Sequence, residues 1–204
     1  MANPQRPLPE TASQTAGPYV HIGLSPRAAG FEIYEVEPGQ DIAGPNAKGT
    51  PVEVTGIVWD GNGDPVRDVL LEVWQPNTHG AFAHTDDVEP GFRGWGRVIC
   101  DFDTGEWSFK TIKPGSVARA DGGTDAPALA LWIVARGINI GLQTRMYFPD
   151  ETETNAVDPA MGHVPEDRRG TLIAQRTEDT DPTRLSYRFD IRLQGDGETV
   201  FFDI

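Results

Sequence analysis

The sequence predicts an all-β protein, an antiparallel β-sandwich of about eight strands preceded by an extended N-terminal arm. Apolar residues recur at every second position in several segments after residue 50, as in strands with one buried face. Glycine (23) and proline (17) together make up about a fifth of the 204 residues, which suits many turns. Helical periodicity is weak, and residues 165–169 offer the one plausible helical turn.

Residues 1–50 are expected to form the arm of a single domain, 1–204, whose sandwich core is 51–204. Five prolines between residues 4 and 26 remove backbone donors and disfavour a regular helix or a central strand there. Large apolar side chains nevertheless occur in the same stretch, among them Tyr19, Phe31 and Ile33. We therefore expect the arm to pack on its own core or on a partner chain.

The predicted strands follow one another from residue 52. The segments that fit strands are 52–59, 69–74, 97–102, 106–111, 128–135, 138–148, 185–193 and 200–202. Segments 97–102 and 106–111 flank Asp103-Thr104-Gly105, which predicts a hairpin with that triplet at its tip. Residues 128–135 (ALALWIVA) are continuously apolar, which is typical of a strand buried on both faces.

Composition and charge exclude several classes of function. The chain has 17 basic and 31 acidic residues, a net charge of −14, and no basic run, which argues against nucleic acids and anionic membranes. No apolar run approaches ~18 residues, and the first residues lack the apolar stretch of a secretory signal, so we expect a cytoplasmic protein. Cys100 is the only cysteine, which excludes an internal disulfide and a multi-cysteine zinc site.

One loop offers residues for a metal site. His79, His84 and Asp86 are close in sequence and could supply two imidazoles and a carboxylate to an iron-independent enzyme. A polar surface loop between strands is the simpler interpretation, because such clusters are common in loops. Motifs of serine hydrolases, phosphate-binding loops and zinc proteases do not occur in the sequence.

The tryptophans support two interpretations. Exposed on one face, they would form a sugar platform, as in a non-catalytic binding module. Placed at apolar strand positions, three or four of them would fill the core instead. The five residues are Trp59, Trp74, Trp95, Trp107 and Trp132.

Two further features can border a cleft. Arg136 follows the most apolar predicted strand, and a guanidinium there needs a carboxylate partner or an open cleft. An ordinary ion pair accounts for it equally well. The Gly17-Pro18 step before Tyr19 allows the backbone to approach a ligand closely, although it can also simply turn the chain.

Five motifs, taken in order, resemble those of the intradiol ring-cleavage dioxygenases, and the likeness extends over nearly the whole chain. They are 13–19 (SQTAGPY), 71–75 (LEVWQ), 103–109 (DTGEWSF), 111–115 (TIKPG) and 195–202 (GDGETVFF). The resemblance is to the alpha chain of members built from homologous alpha and beta chains. It implies a hetero-oligomer that cleaves 3,4-dihydroxybenzoate (protocatechuate) with O2, between the hydroxyls, to 3-carboxy-cis,cis-muconate.

The resemblance also implies where iron is held. In this family two tyrosinates and two histidines of the beta chain bind a non-haem ferric ion, and the corresponding positions here are Phe82, Val117, Leu129 and Leu131. An arginine that precedes the histidine pair corresponds to Ala126. None of these side chains carries a metal-binding donor atom. We therefore expect the iron-bearing beta chain as partner and no iron in this chain.

The resemblance finally implies a binding role rather than a catalytic one for this chain. Gly17, Pro18 and Arg136 are expected to line the substrate pocket at the junction with the beta chain, with Tyr19 ranked below them. Arg136 would hold the substrate's carboxylate. No catalytic residue is expected in this chain.

Overall fold

The computed structural model describes residues 11–17, 19–178 and 181–203, and this part of the chain is mostly β-structure. The strands are β1 (Pro51–Trp59), β2 (Leu70–Trp74), β3 (Trp95–Ile99), β4 (Glu106–Ile112), β5 (Val117–Ala118), β6 (Thr124–Asp125), β7 (Ala128–Val134), β8 (Leu142–Tyr147), β9 (Gln175–Thr177), β10 (Leu185–Arg188) and β11 (Ile191–Arg192). The helices are α1 (Tyr19–Leu24), α2 (Thr152–Val157), α3 (Pro159–His163) and a 3₁₀ helix (Glu166–Leu172). No helix of the described residues is long and apolar enough to cross a membrane.

Most of the strands belong to one of two main sheets. The first contains β11-β1-β10-β9, with β4 also paired to β1, and the second contains β3-β2-β7-β8. Strands β5 and β6 form a small third sheet. The second sheet is antiparallel throughout, but β1 runs parallel to β10 and β11. The expectation of a purely antiparallel protein is therefore wrong, because the long connection from β1 to β10 allows the parallel pairing.

The two main sheets contribute to one hydrophobic core. Val54 of β1 and Trp107 of β4 come from the first sheet, and Leu71 of β2 and Leu131 of β7 come from the second. All four are 2% exposed or less. Along β1 every second residue is buried, as the period-two pattern predicts. Burying a side chain of this size stabilises the fold by about 1.5–3 kcal/mol.

The turn predicted at residues 103–105 is present, but the hairpin around it is not. Strand β3 pairs with β2, whereas β4 pairs with β1, so the turn carries the chain from one sheet to the other. The Asp101 carboxylate holds this turn by accepting hydrogen bonds from the backbone nitrogens of Asp103 (2.9 Å) and Thr104 (2.8 Å). Gly105 has a φ of 78°, which favours glycine.

Strand β7 is buried mainly on one face, not on both. Leu129, Leu131 and Ile133 point into the core between the sheets, whereas Ala130 is exposed and Trp132 is half-buried on the opposite face. The continuous apolar run was therefore misleading, because the outward positions are apolar as well. These outward residues border the surface clefts described below.

Other predicted segments form with changed limits. Residues 185–193 form two strands, and the break falls where the Asp190 carboxylate accepts a hydrogen bond from the Ile57 nitrogen (3.0 Å). Of the strand predicted at 138–148, only β8 forms. The strand predicted at 200–202 is a single bridge between Phe202 and Gln143. The helical turn predicted at 165–169 is confirmed within the 3₁₀ helix, while α2 and α3 were not predicted.

The arm contains a short helix, contrary to the sequence-based expectation. Helix α1 fits between Pro18 and Pro26 in the sequence, so these prolines flank the helix instead of interrupting it. The arm also packs on the core, since Ile42 is 1% exposed and belongs to the central cluster. The Arg97 guanidinium donates to the Leu24 carbonyl oxygen (2.9 Å) and secures the end of α1.

We predict that Gly56→Ala lowers the free energy of unfolding by about 1–3 kcal/mol, because a side chain does not fit there. A Cβ on Gly56 would lie 2.1 Å from the Phe189 carbonyl oxygen and 2.4 Å from the Trp107 ring. Urea denaturation of the assembled protein measures this loss. The matched control is Gly162→Ala in α3, where nothing lies within 4 Å. Equal losses for the two variants would contradict the packing account.

Lys113 joins the end of β4 to the segment after β8. Its Nζ lies 2.7 Å from an Asp150 oxygen and 2.6 Å from a Glu151 oxygen. Burial disfavours the charged forms, but the hydrogen bonds outweigh it, so the pKa of Lys113 is raised and the pKa of Asp150 is lowered. The Tyr187 hydroxyl also donates to Asp150 (3.1 Å). The Lys-Pro-Gly motif therefore supplies a structural ion pair.

We predict that Lys113→Met destabilises the fold by about 2 kcal/mol at pH 7, because two carboxylates lose their shared cation. A carboxylate with a lowered folded pKa stabilises above its unfolded pKa, and that contribution disappears as the pH falls through the folded pKa. The difference between wild type and variant should therefore be constant from about pH 5 to 9 and shrink below about pH 4. Urea titrations across this range test it. Lys110→Met, at an exposed position of the same strand, is the control, and a pH-independent difference would contradict the prediction.

Candidate functional site

The fold brings the arm and the Arg136 turn together across 122 positions of sequence. The backbone nitrogen of Gly137 donates to the Thr15 hydroxyl at 2.6 Å. Gly137 has a φ of 87°, a conformation that favours glycine, and it turns the chain immediately after Arg136. Gly17 lies two residues beyond Thr15, so two of the predicted site residues flank one contact.

Arg136 forms an ion pair and still presents a largely free guanidinium. Its Nε hydrogen-bonds to an Asp68 carboxylate oxygen, so the ordinary ion pair considered from the sequence is present. The Arg136 side chain is 72% exposed, whereas that of Asp68 is 20% exposed. A guanidinium carries five N–H donors, so most of its donors can still reach another anion.

A cleft of about 550 Å³ lies beside this pair, lined by Arg136, Asp68, Arg67, His21, Ile22, Ala29 and Phe102. The His21 ring is buried and packs edge-to-face on Phe102, with 5.4 Å between ring centroids. Asp68 and His21 were not singled out from the sequence, whereas Thr15 belongs to the motif at 13–19 without having been named as a site residue. His21 lies two residues beyond that motif, but Asp68 gave no sequence signal of its own.

Of the described residues predicted for the site, Arg136 lines this cleft, whereas Gly17 and Tyr19 do not. Pro18 lies outside the described residues. Tyr19 begins α1 and is 81% exposed, and it does not line the cleft. The structure therefore places Arg136 at the cleft and connects its turn to the arm through Thr15, two residues before Gly17.

The four positions expected to correspond to lost iron ligands are not assembled in one place. Phe82 and Val117 line a small pocket of about 110 Å³, and Ala126 lines it too. Leu129 and Leu131 point away from that pocket into the core between the sheets. The pair of leucines therefore cannot face the same ion as Phe82 and Val117.

The residues of β7 that do line this pocket are Ala128 and Ala130. Side chains alternate across a strand, so a shift of one residue moves a position to the opposite face. The sequence could have predicted the inward face of β7, because the large residues Leu129, Leu131 and Ile133 occupy every second position. The alanines that line the pocket also lack a donor atom, since a methyl group cannot bind a metal.

The side chains of this pocket do not fit an iron ion. Its acidic residue, Asp125, lies 3.8 Å from the Arg119 guanidinium. The nearby phenol of Tyr147 donates to Asp158 (3.0 Å), and its burial, with Asp158 adding to the effect, raises the Tyr147 pKa well above its ordinary range. Within residues 11–17, 19–178 and 181–203, no three His, Cys, Asp or Glu side chains lie close enough to hold a metal.

The loop of His79, His84 and Asp86 does not gather into a metal site. All three residues are exposed, and the His84 ring stacks on Phe82 with centroids 6.1 Å apart. Asn77 supports the loop by accepting hydrogen bonds from the His79 and Ala81 nitrogens, both at 3.0 Å. The polar surface loop is the better interpretation of these residues.

The tryptophans are distributed differently from the core interpretation. Trp107 alone of the five, all within the described ranges, is buried in the core. Trp74, Trp95 and Trp132 share the outer face of the second sheet, where Trp74 lies opposite Trp95 and is 51% exposed. The expectation of three or four core tryptophans is therefore wrong, because these strands are apolar on the outer face too.

Comparisons with known proteins agree with the motifs. The family model described as "Dioxygenase" matches residues 36–195. The chain is 49% identical over 197 residues to the protocatechuate 3,4-dioxygenase alpha chain of Pseudomonas putida, covering 96% of this chain and 97% of that protein. It is 36% identical over 156 residues to the beta chain of the Burkholderia cepacia enzyme, covering 72% and 66%.

The fold is similar to that of a solved dioxygenase. The structure of catechol 1,2-dioxygenase from Acinetobacter sp. ADP1 superposes with a TM-score of 0.62 and 18% identity, covering 91% of this chain and 72% of that one. At this identity the likeness concerns the fold alone. Family match and full-length relative together establish that the chain belongs to the intradiol dioxygenase family.

Proposed function

We propose that this chain is the iron-free alpha subunit of an intradiol dioxygenase that cleaves 3,4-dihydroxybenzoate with O2 between its hydroxyls to 3-carboxy-cis,cis-muconate. One observation supports this most directly: the contact of Thr15 with Gly137 joins the Gly17 motif to the exposed Arg136. The alpha-chain relative matches 96% of the chain. The proposal includes a single domain, folded as a β-sandwich and located in the bacterial cytoplasm.

The iron is proposed to belong to a homologous beta chain. Non-haem ferric iron is the cofactor of this family. In this chain Phe82, Val117, Ala128 and Ala130 carry no ligand atom, and the carboxylate of the same pocket, Asp125, lies beside Arg119, so the residues present do not fit the ion. A relative that is a beta chain shares 36% identity with this chain, which supports a pair of homologous subunits.

This chain's own part is to bind and orient the anionic end of the substrate. The net charge of −14 repels a carboxylate, and Arg136 provides a local positive charge at an exposed edge. Asp68 holds the Arg136 side chain by its Nε, which leaves the terminal nitrogens to face a carboxylate. Gly17 has nothing within 4 Å of a Cβ position, so its backbone borders open space.

The arm supplies a surface suited to the partner chain. Phe31, Ile33, Tyr34 and Val36 are 45–65% exposed within one stretch of six residues. Exposed apolar clusters of this kind mark protein interfaces, and permanent interfaces are the more hydrophobic ones. This stretch lies on the same arm as Gly17, which supports an active site at the junction of the two subunits.

The alternative, a sugar-binding module, explains less of the chain. It accounts for the exposed Trp74 on the outer face of the second sheet. It leaves the linkage between the arm and Arg136 without a purpose, and it does not account for the full-length dioxygenase relative. The dioxygenase subunit is therefore the function that the geometry supports best.

We predict that Arg136→Ala in the complex of alpha and beta chains lowers kcat/KM for 3,4-dihydroxybenzoate by about 10- to 150-fold, the effect of losing a charge-assisted hydrogen bond. Iron content should not change, because Arg136 binds no metal. Steady-state O2 uptake measures the effect. For catechol, which lacks the carboxylate, the variant and wild type should differ little.

A matched control is Arg93→Ala, which removes an exposed arginine that also pairs with an aspartate, Asp41. This variant should keep wild-type kcat/KM. An unchanged kcat/KM in Arg136→Ala, or an equal loss with catechol, would remove Arg136 from the substrate site.

A further inference from the structure

A second cleft lies on the outer face of the second sheet and shares no lining residue with the Arg136 cleft. It has a volume of about 340 Å³, within the range of small-molecule sites. Trp74, Ala130, Trp132, Arg145 and Phe202 form most of its wall. It continues into the 110 Å³ pocket of Phe82 and Val117, through the shared residues Trp74, Ala130 and Arg145.

The walls of this cleft are aromatic and well supported. Trp74 is 51% exposed, and its ring lies 6.1 Å from that of Trp95. The Trp132 ring covers Gly141, where an added Cβ would lie 2.1 Å from the indole nitrogen. Ala130 of β7 lies opposite Trp74 and has a small side chain, so open space remains beside the Trp74 ring. A flat aromatic ring is the kind of ligand that such walls accept.

Arg145 gives the cleft a positive charge that no carboxylate of the described residues compensates by an ion pair. Its guanidinium lies 5.9 Å from the Phe202 ring centroid and interacts with the Tyr147 hydroxyl. The acidic residues that border the two connected spaces are already engaged. Glu72 accepts from the Arg97 guanidinium at 2.6 Å, and Asp125 lies 3.8 Å from that of Arg119.

The chain carries a net charge of −14, so its acidic side chains outnumber its basic ones. An arginine in such a chain has many acids available, yet Arg145 faces an aromatic cleft instead. A guanidinium in a partly apolar site is stabilised by an anion that can accept two parallel hydrogen bonds, as a carboxylate does. The cleft therefore combines an anion-binding group with a surface for an aromatic ring.

We propose that this cleft is a second, non-catalytic binding site for a monocyclic aromatic carboxylate, with its ring against Trp74 and its carboxylate on Arg145. The one carboxylate in the lining of this cleft, Glu72, is already paired with Arg97, so Arg145 is the charged group left to bind the ligand. This inference is independent of the proposed function, because it rests on different residues from Arg136 and Gly17.

The test measures binding of 4-fluorobenzoate to the purified complex of alpha and beta chains by equilibrium dialysis and fluorine NMR. The wild-type complex should bind one more molecule per alpha chain than the Arg145→Gln complex. Affinity at this site should fall about 10- to 150-fold in Arg145→Gln. Arg145→Lys should retain part of it, and Trp74→Ala should weaken it without changing the charge.

Two controls separate this site from the substrate site. Arg176→Gln, which removes an exposed arginine from β9 of the other sheet, should bind like wild type. Arg136→Ala should keep the extra molecule, and Arg145→Gln should keep the kcat/KM for 3,4-dihydroxybenzoate. No extra molecule in wild type, or unchanged binding in both Arg145→Gln and Trp74→Ala, would overturn the proposal and leave the proposed function intact.

Discussion

The alternation of side chains along β7 is the constraint on which the rest of the structure depends. Its large residues, Leu129, Leu131 and Ile133, fill the core between the two main sheets. Its small residues, Ala128 and Ala130, leave space on the outer face. A shift of one residue would empty the core and close the clefts together, because every side chain would change face. Packing and binding surfaces are thus set by one strand register.

The same strand delivers Arg136 to the arm. Beyond Val134 the chain turns at Gly137, whose nitrogen binds Thr15, and Asp68 from the loop before β2 orients the guanidinium. Three distant segments therefore converge on one exposed edge. In the proposed function this edge completes a substrate site whose iron belongs to the partner. In that proposal the chain keeps its family's fold and supplies binding groups, while the partner chain supplies the iron ligands.

Local features of the sequence predicted local features of the structure. The period-two pattern located β1, and Asp103-Thr104-Gly105 located the turn that Asp101 stabilises. The pairing of strands was less predictable, because β3 and β4 flank a tight turn and still join different sheets. The sequences of β3 and β4 do not show that β3 pairs with β2 and β4 with β1.

The candidate site shows the same division. The sequence singled out Gly17 and Arg136 as candidates, but the contact that connects their segments, between Thr15 and Gly137, spans 122 positions and is a property of the folded chain. Which residues of β7 lie beside Phe82 and Val117 depends on which face of β7 points outward, and a continuous apolar run does not show this. The outward placement of Trp74, Trp95 and Trp132 could not be predicted for the same reason, since an apolar outer face has the same sequence pattern as a buried one.

The central claim is that this chain contributes binding groups and no iron, and metal analysis with O2 uptake tests it most directly. Iron content and 3,4-dihydroxybenzoate-dependent O2 uptake would be measured for the chain produced alone and for the chain co-expressed with a beta-type partner. We expect iron and activity in the co-expressed complex, with no stoichiometric iron in the chain alone. Stoichiometric iron and O2 uptake in the chain alone would contradict the account.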